Sequence, residues 1–136
     1  MPEGLSTNIS NIAEVFSVGQ KQLLCLARAL LRRNKFLILD EATSNVDMAT
    51  DQFIQDCIHT KFANTTVITI AHRLNTIADY DKVIVMSRGR VIETGSPHQL
   101  LQKQKGLFAE MVSHTGKNAD LIRKVARAAF DKKHKI

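Results

Sequence analysis

Asp40 and Glu41 are adjacent carboxylates standing directly behind the apolar run Phe36-Leu37-Ile38-Leu39. Such a pair can do two kinds of chemistry. Oxygen ligands suit hard cations, so Asp40 is placed to hold Mg2+, directly or through water. Glu41 is placed to accept a proton from an attacking water. Read alone, a solvated acidic turn at a strand end accounts for the two residues equally well. Ser17, Val18, Gly19 and Gln20 open a helical pattern with a hydroxyl, a glycine and an amide. The start of a helix presents unpaired N–H groups and positive dipole character, which attract phosphate. Gly19 lets backbone come close to an anion, and Ser17 and Gln20 can donate side-chain hydrogen bonds. A plain N-cap is the simpler reading of Ser17 by itself. His72 follows Thr69-Ile70-Ala71 and can present an imidazole nitrogen to a phosphate or to Glu41. A lone histidine behind a strand is more commonly structural, and no second His or Cys stands at metal-ligand spacing.

The elements that must position these groups alternate between the two periodicities. Leu23, Leu24, Ala27, Leu30 and Leu31 recur at three- and four-residue spacing after Ser17, which predicts a helix to about Arg33. The short apolar run before Asp40 predicts a strand buried on both faces of a parallel sheet. Its C-terminal end is where open α/β sheets bind ligands. Residues 48–61 predict a helix with Phe53, Ile54, Cys57 and Ile58 on one side, and 66–70 a second strand. Residues 74–78 read as a helical turn, and 82–86 and 90–94 as a hairpin around Ser87-Arg88-Gly89. Short helices follow from Pro97 and from Leu107. Leu121, Ile122, Val125, Ala126, Ala129 and Phe130 form the stripe of a last, basic helix.

Taken together, Phe16 to Gln20, Phe36 to Glu41, Ser44 to Asp47 and His72 resemble, in order and spacing, the C-terminal part of an ATP-binding cassette (ABC) nucleotide-binding domain. They look like its signature loop, Walker B strand, D-loop and switch histidine. Val18, with Phe16 and the run Gln22 to Leu30, is similar to the second such domain of class C transporters, the multidrug resistance-associated proteins. The resemblance implies an α/β fold, a partial P-loop NTPase (ABC ATPase) domain with a largely parallel sheet plus C-terminal helices. It implies a cassette portion over 1–113 and a basic helical tail over 114–136. It implies ATP and Mg2+ as cofactors, with Asp40 on the metal and Glu41 and His72 catalytic. Ser17, Val18, Gly19 and Gln20 would contact the γ-phosphate of ATP held by a second nucleotide-binding domain in a head-to-tail sandwich, and Asp47 would communicate across it. The parent activity it implies is ATP hydrolysis coupled to export of organic anions or xenobiotics, at the cytosolic face of a membrane and with transmembrane domains as partners.

Composition sets bounds on these implications. Apolar residues make up 44% and charged residues 24%, ordinary for a globular chain. No apolar run approaches the ~20 residues that span a bilayer, and the first residues lack the regions of a secretory signal. Cys25 and Cys57 read as buried, reduced thiols. Residues 117–135 hold five of the six net positive charges. The basic balance is thus a property of the tail and argues against nucleic-acid binding by the body. A basic amphipathic helix suits an anionic membrane surface, and equally a solvated helix packed on its own domain. The 136 residues contain no G-x-x-x-x-G-K-[ST] loop to cradle phosphates. The expectation is therefore a truncated domain, inactive as a hydrolase alone. The alternative is a non-catalytic interaction module that presents its signature loop to a partner domain.

Overall fold

The computed structural model describes residues 4–6, 16–40 and 46–134. The chain divides into two compact units, Met1–Ile70 and Ala71–Ile136.

In the first unit, helix α1 (Val18–Arg32) starts at Ser17 and stops where Arg33 turns left-handed at φ 50°. Strand β1 (Phe36–Asp40) pairs in parallel with β2 (Thr66–Ile70), joined by helix α2 (Met48–Lys61). The register sets Phe36 opposite Thr66 and Asp40 opposite Ile70, so the two C-terminal ends lie side by side. Leu26, Leu39, Val46, Ile54, Ile58 and Phe62 form the core, with Leu37 and Val67 packed against it.

Three expectations change here. First, among the described residues β1 is covered on one face only. Leu37 and Leu39 face the core, while Phe36 and Ile38 are 64% and 69% exposed, as are Ile68 and Ile70 at about half. The period-two alternation of the pleat puts these four on the face that α1 and α2 do not cover. Second, the packed side of α1 runs through Gly19, Leu23 and Leu26, whereas Leu24, Ala27, Leu30 and Leu31 are exposed. Phe53 likewise points outward from α2. Third, Cys25 is exposed and Cys57 half-buried, both as free thiols. Cys25 precedes the buried Leu26 and is rotated off the packed face.

The second unit begins with a 3-10 turn (Leu74–Ile77). Strands β3 (Val83–Ser87) and β4 (Arg90–Gly95) form the expected antiparallel hairpin, with a register shift between Val85 and Met86. Arg88 and Gly89 at its tip both take positive φ, 48° and 73°, the backbone that a two-residue hairpin turn of primed type requires. Helix α3 (Pro97–Leu101) carries a capping box between Ser96 and Gln99 with Pro97 in its first turn. Helix α4 (Leu107–Ser113) has only Gly106 at its N-cap. Its first amides are met from elsewhere: Leu107 and Phe108 donate to the Glu93 carboxylate, both at 3.1 Å.

Helix α5 (Ala119–His134) completes this unit. Ala119 and Ile122 are buried in its core with Leu100, Phe108 and Val112, and Val125 packs beside them. Ala126 is buried too, whereas Leu121 is exposed. Lys133 Nζ meets Asp81 Oδ1 at 2.6 Å. The Phe130 ring lies 4.8 Å from that of His98 and stacks at 4.0 Å on His134. The basic helix is therefore held on its own unit along its whole length. Among the described residues no helix is long and apolar enough to cross a membrane.

Candidate functional site

The N-terminal turn of α1 is organised by Ser17 and Gln20. Ser17 sits in extended backbone, and its Oγ accepts the Gln20 N–H at 3.2 Å. In return Gln20 Oε1 accepts the Ser17 N–H at 2.9 Å. This reciprocal box occupies the Gln20 amide, and Lys21 N–H already bonds the Ser17 carbonyl at 3.0 Å. The N–H groups of Val18 and Gly19 precede the first helical carbonyl partner, so helix geometry gives them none within the helix. Both readings of Ser17 are thus compatible in one geometry. Its Oγ lone pair caps the helix, and its O–H remains a donor.

Gly19 is buried at this turn, and its neighbour is the start of α2. A Cβ on Gly19 would stand 2.7 Å from Thr50 Cγ2 and 3.2 Å from Val46 Cγ1. With Thr50 in place, any side chain at Gly19 would force this contact to shift. The sequence reading gave Gly19 to anion contact; the structure adds a packing requirement.

Asp47 is the N-cap of α2. Its Oδ1 accepts the Thr50 N–H at 3.0 Å and its Oδ2 accepts the Thr50 hydroxyl at 2.7 Å. The backbone and then the side-chain hydrogen bond from Thr50 stabilise the carboxylate and hold its pKa below the ordinary 3.8. Sequence reasoning missed both the cap and Thr50. The signal was legible: an Asp three residues before a Thr at the head of a helix. Asp51, one residue on, is buried in the face of α2 that meets the core.

Asp40 is the last residue of β1, exposed at the strand end beside Ile70. Among the described residues no group of three or more His, Cys, Asp or Glu side chains stands together to hold a metal, so a Mg2+ at Asp40 would take most of its ligands from water and nucleotide phosphates, the usual manner for this ion. Glu41 and residues 42–45, among them Ser44 and Asn45 of the stretch expected as a D-loop, lie outside the described residues, as does the segment 7–15. His72 is exposed, two residues past the end of β2, and belongs to the second unit. The structure thus brings Gly19, in the first turn of α1, against Thr50 and Val46 beside Asp47.

A parallel strand pair ending in an acidic residue, with a capped, glycine-bearing helix start packed on the next helix, is an arrangement that an ABC-type ATPase domain of the P-loop NTPase class can contain, and the comparisons with known proteins supply that class. The family model described as ABC transporter matches residues 2–44. The human "ATP-binding cassette sub-family C member 4" is 48% identical over 135 residues, 98% of this chain and 10% of that protein. "ABC transporter C family member 12" of Dictyostelium discoideum is 52% identical over 127 residues, 93% of this chain and 10% of that protein. "Probable multidrug resistance-associated protein lethal(2)03659" of Drosophila melanogaster is 50% identical over 133 residues, 96% and 10% respectively. The chain belongs to the ABC transporter family, in its class C, the multidrug resistance-associated type. It spans about a tenth of the length of these relatives.

Proposed function

We propose that this chain is the signature-to-switch portion of a second class C nucleotide-binding domain, and that it serves ATP in two ways. The first is in trans. The amides of Val18 and Gly19, with the Ser17 hydroxyl and the Gln20 side chain, meet the γ-phosphate of ATP held by another nucleotide-binding domain. The second is in cis. Asp40 binds Mg2+, Glu41 orients and deprotonates the attacking water, and His72 senses the γ-phosphate. Phosphoryl transfer asks for this kind of positioning and charge neutralisation more than for covalent help. Asp47 joins the two sites. Residues 1–113 form the cassette portion and 114–136 its basic helical tail. The parent activity is ATP hydrolysis coupled to export of organic anions or xenobiotic conjugates, with transmembrane domains as partners at a membrane's cytosolic face.

The observation that carries the trans role is the start of α1, where a capping box leaves the Val18 and Gly19 amides without helical partners. The cis role needs a phosphate loop, which these 136 residues do not carry. The purified chain is therefore expected to show no Mg2+-dependent ATP turnover. Turnover abolished by Glu41→Gln would overturn that. The same observation favours a second reading, a non-catalytic module that completes a partner's site. Co-purification with a phosphate-loop-bearing domain in ATP, lost in Ser17→Arg, tests the trans role. Retention of Ser17→Arg on that domain would refute it.

A further inference from the structure

Thr50 touches the signature turn with one side of its side chain and the D-loop cap with the other. Its Cγ2 stands 2.7 Å from where a Cβ on Gly19 would be, so the methyl fills the space that the missing side chain leaves. Its hydroxyl donates to Asp47 Oδ2 at 2.7 Å, and its N–H donates to Asp47 Oδ1 at 3.0 Å. Val46 Cγ1, at 3.2 Å from the same point, closes the other side of the contact. Close-packed atoms transmit displacement because overlap is steeply repulsive. A shift of the first turn of α1 toward α2 must therefore move Thr50. Two hydrogen bonds then carry the movement to the Asp47 carboxylate.

We propose that Thr50 is a positioning residue that locks the phosphate-facing turn of α1 to the Asp47 cap of α2, so that the two respond to ATP as one body. This rests on the reading of that turn as a γ-phosphate contact. The methyl sets the distance between the helices and the hydroxyl sets the orientation of Asp47. A Thr supplies both from one side chain. Valine keeps the shape without the hydrogen bond, and serine keeps the hydrogen bond without the methyl.

The test is a Mg-ATP titration of the association between the full chain and a phosphate-loop-bearing nucleotide-binding domain, with a thermal melt of every variant. Gly19→Ala drives its methyl into Thr50 Cγ2, and overpacking of this kind is expected to raise the half-saturating ATP about tenfold. Thr50→Ser removes the opposing methyl and leaves Thr50 Cβ at 3.6 Å as the next atom on that side. The double variant Gly19→Ala/Thr50→Ser is expected to recover to within about threefold of the wild type, in ATP dependence and in melting alike. Thr50→Val, matched in shape, is expected to need about five- to tenfold more ATP, from loss of a hydrogen bond to a charged group. A double variant as impaired as Gly19→Ala alone would overturn the proposal, because the added methyl would then obstruct the phosphate itself. Unchanged ATP dependence in Thr50→Val would overturn it as well. A wild-type chain that never associates in ATP would sink the phosphate reading, and the proposal with it. That outcome differs from association without rescue.

Discussion

Ser17→Asp separates the two jobs assigned to Ser17. As an N-cap, aspartate is about as good as serine, and its charge near a helix start adds roughly 0.3–1 kcal/mol. The introduced carboxylate can accept the Gln20 N–H as Oγ does now at 3.2 Å. The melting temperature should therefore hold or rise slightly. A phosphate arriving at the same turn meets a like charge. At about 4 Å and an effective dielectric near 20, unit charges repel by about 4 kcal/mol, and ionic screening lowers this toward 2. Association with a phosphate-loop-bearing domain in Mg-ATP should weaken by about thirty- to a thousandfold. Ser17→Ala gives the opposite pattern. It removes the cap, at about 1 kcal/mol and so roughly 4–8 °C of melting temperature in a unit of this size. It costs only one hydrogen bond to the phosphate, about two- to tenfold in affinity. Sedimentation velocity across a concentration series reads the affinity, and circular dichroism reads the melt. If Ser17→Asp associates as tightly as the wild type while melting normally, Ser17 is a cap and nothing more.

Other consequences follow from the caps and contacts. Asp47 should titrate below 3.8 in the folded chain. Its pKa is depressed by folding, so its stabilising contribution is present at neutral pH and lost as pH falls through the folded value. Carboxyl NMR should show this, with the midpoint rising in Thr50→Val. Glu93→Ala should unfold the second unit more readily by about 1–2 kcal/mol, because it leaves the Leu107 and Phe108 amides without their acceptor. A thermal melt checks it, and Glu93→Gln should fall between the two. Lys133→Ala should change stability by less than about 1 kcal/mol despite its 2.6 Å contact, since Asp81 is largely exposed and surface pairs contribute little. A larger loss on denaturant titration would mean that the end of α5 holds the unit together.

Elements were most legible where local chemistry marks them. Ser17 and Ser96 each precede a glutamine at the third helical position, a readable capping-box spacing that the sequence reading did not draw, and both boxes form. The hairpin was legible because Arg88-Gly89 sits between two apolar runs. The packed side of α1 was not. Leucines stand at 23, 24, 26, 30 and 31, so periodicity allows more than one stripe, and the contact of Gly19 with Thr50 chooses among them. The outward face of β1 was misread for a related reason. Phe36 and Ile38 are as apolar as Leu37 and Leu39, a run that reads as burial on both sides. The Glu93 cap on α4 had no local signal at all, because its acceptor lies 14 residues from the first donor. At the candidate site, the order and spacing of the motifs nominated Ser17, Gly19, Asp40, Asp47 and His72. Thr50 emerged only from packing, although its spacing from Asp47 was readable.

If the first turn of α1 meets a γ-phosphate, association must follow that phosphate. The direct measurement is sedimentation of the chain with a hydrolysis-deficient, phosphate-loop-bearing nucleotide-binding domain in Mg-ATP, in Mg-ADP and without nucleotide. A 1:1 complex in Mg-ATP that falls apart in Mg-ADP is the predicted result. Equal association in ATP and ADP, or none in either, would contradict it.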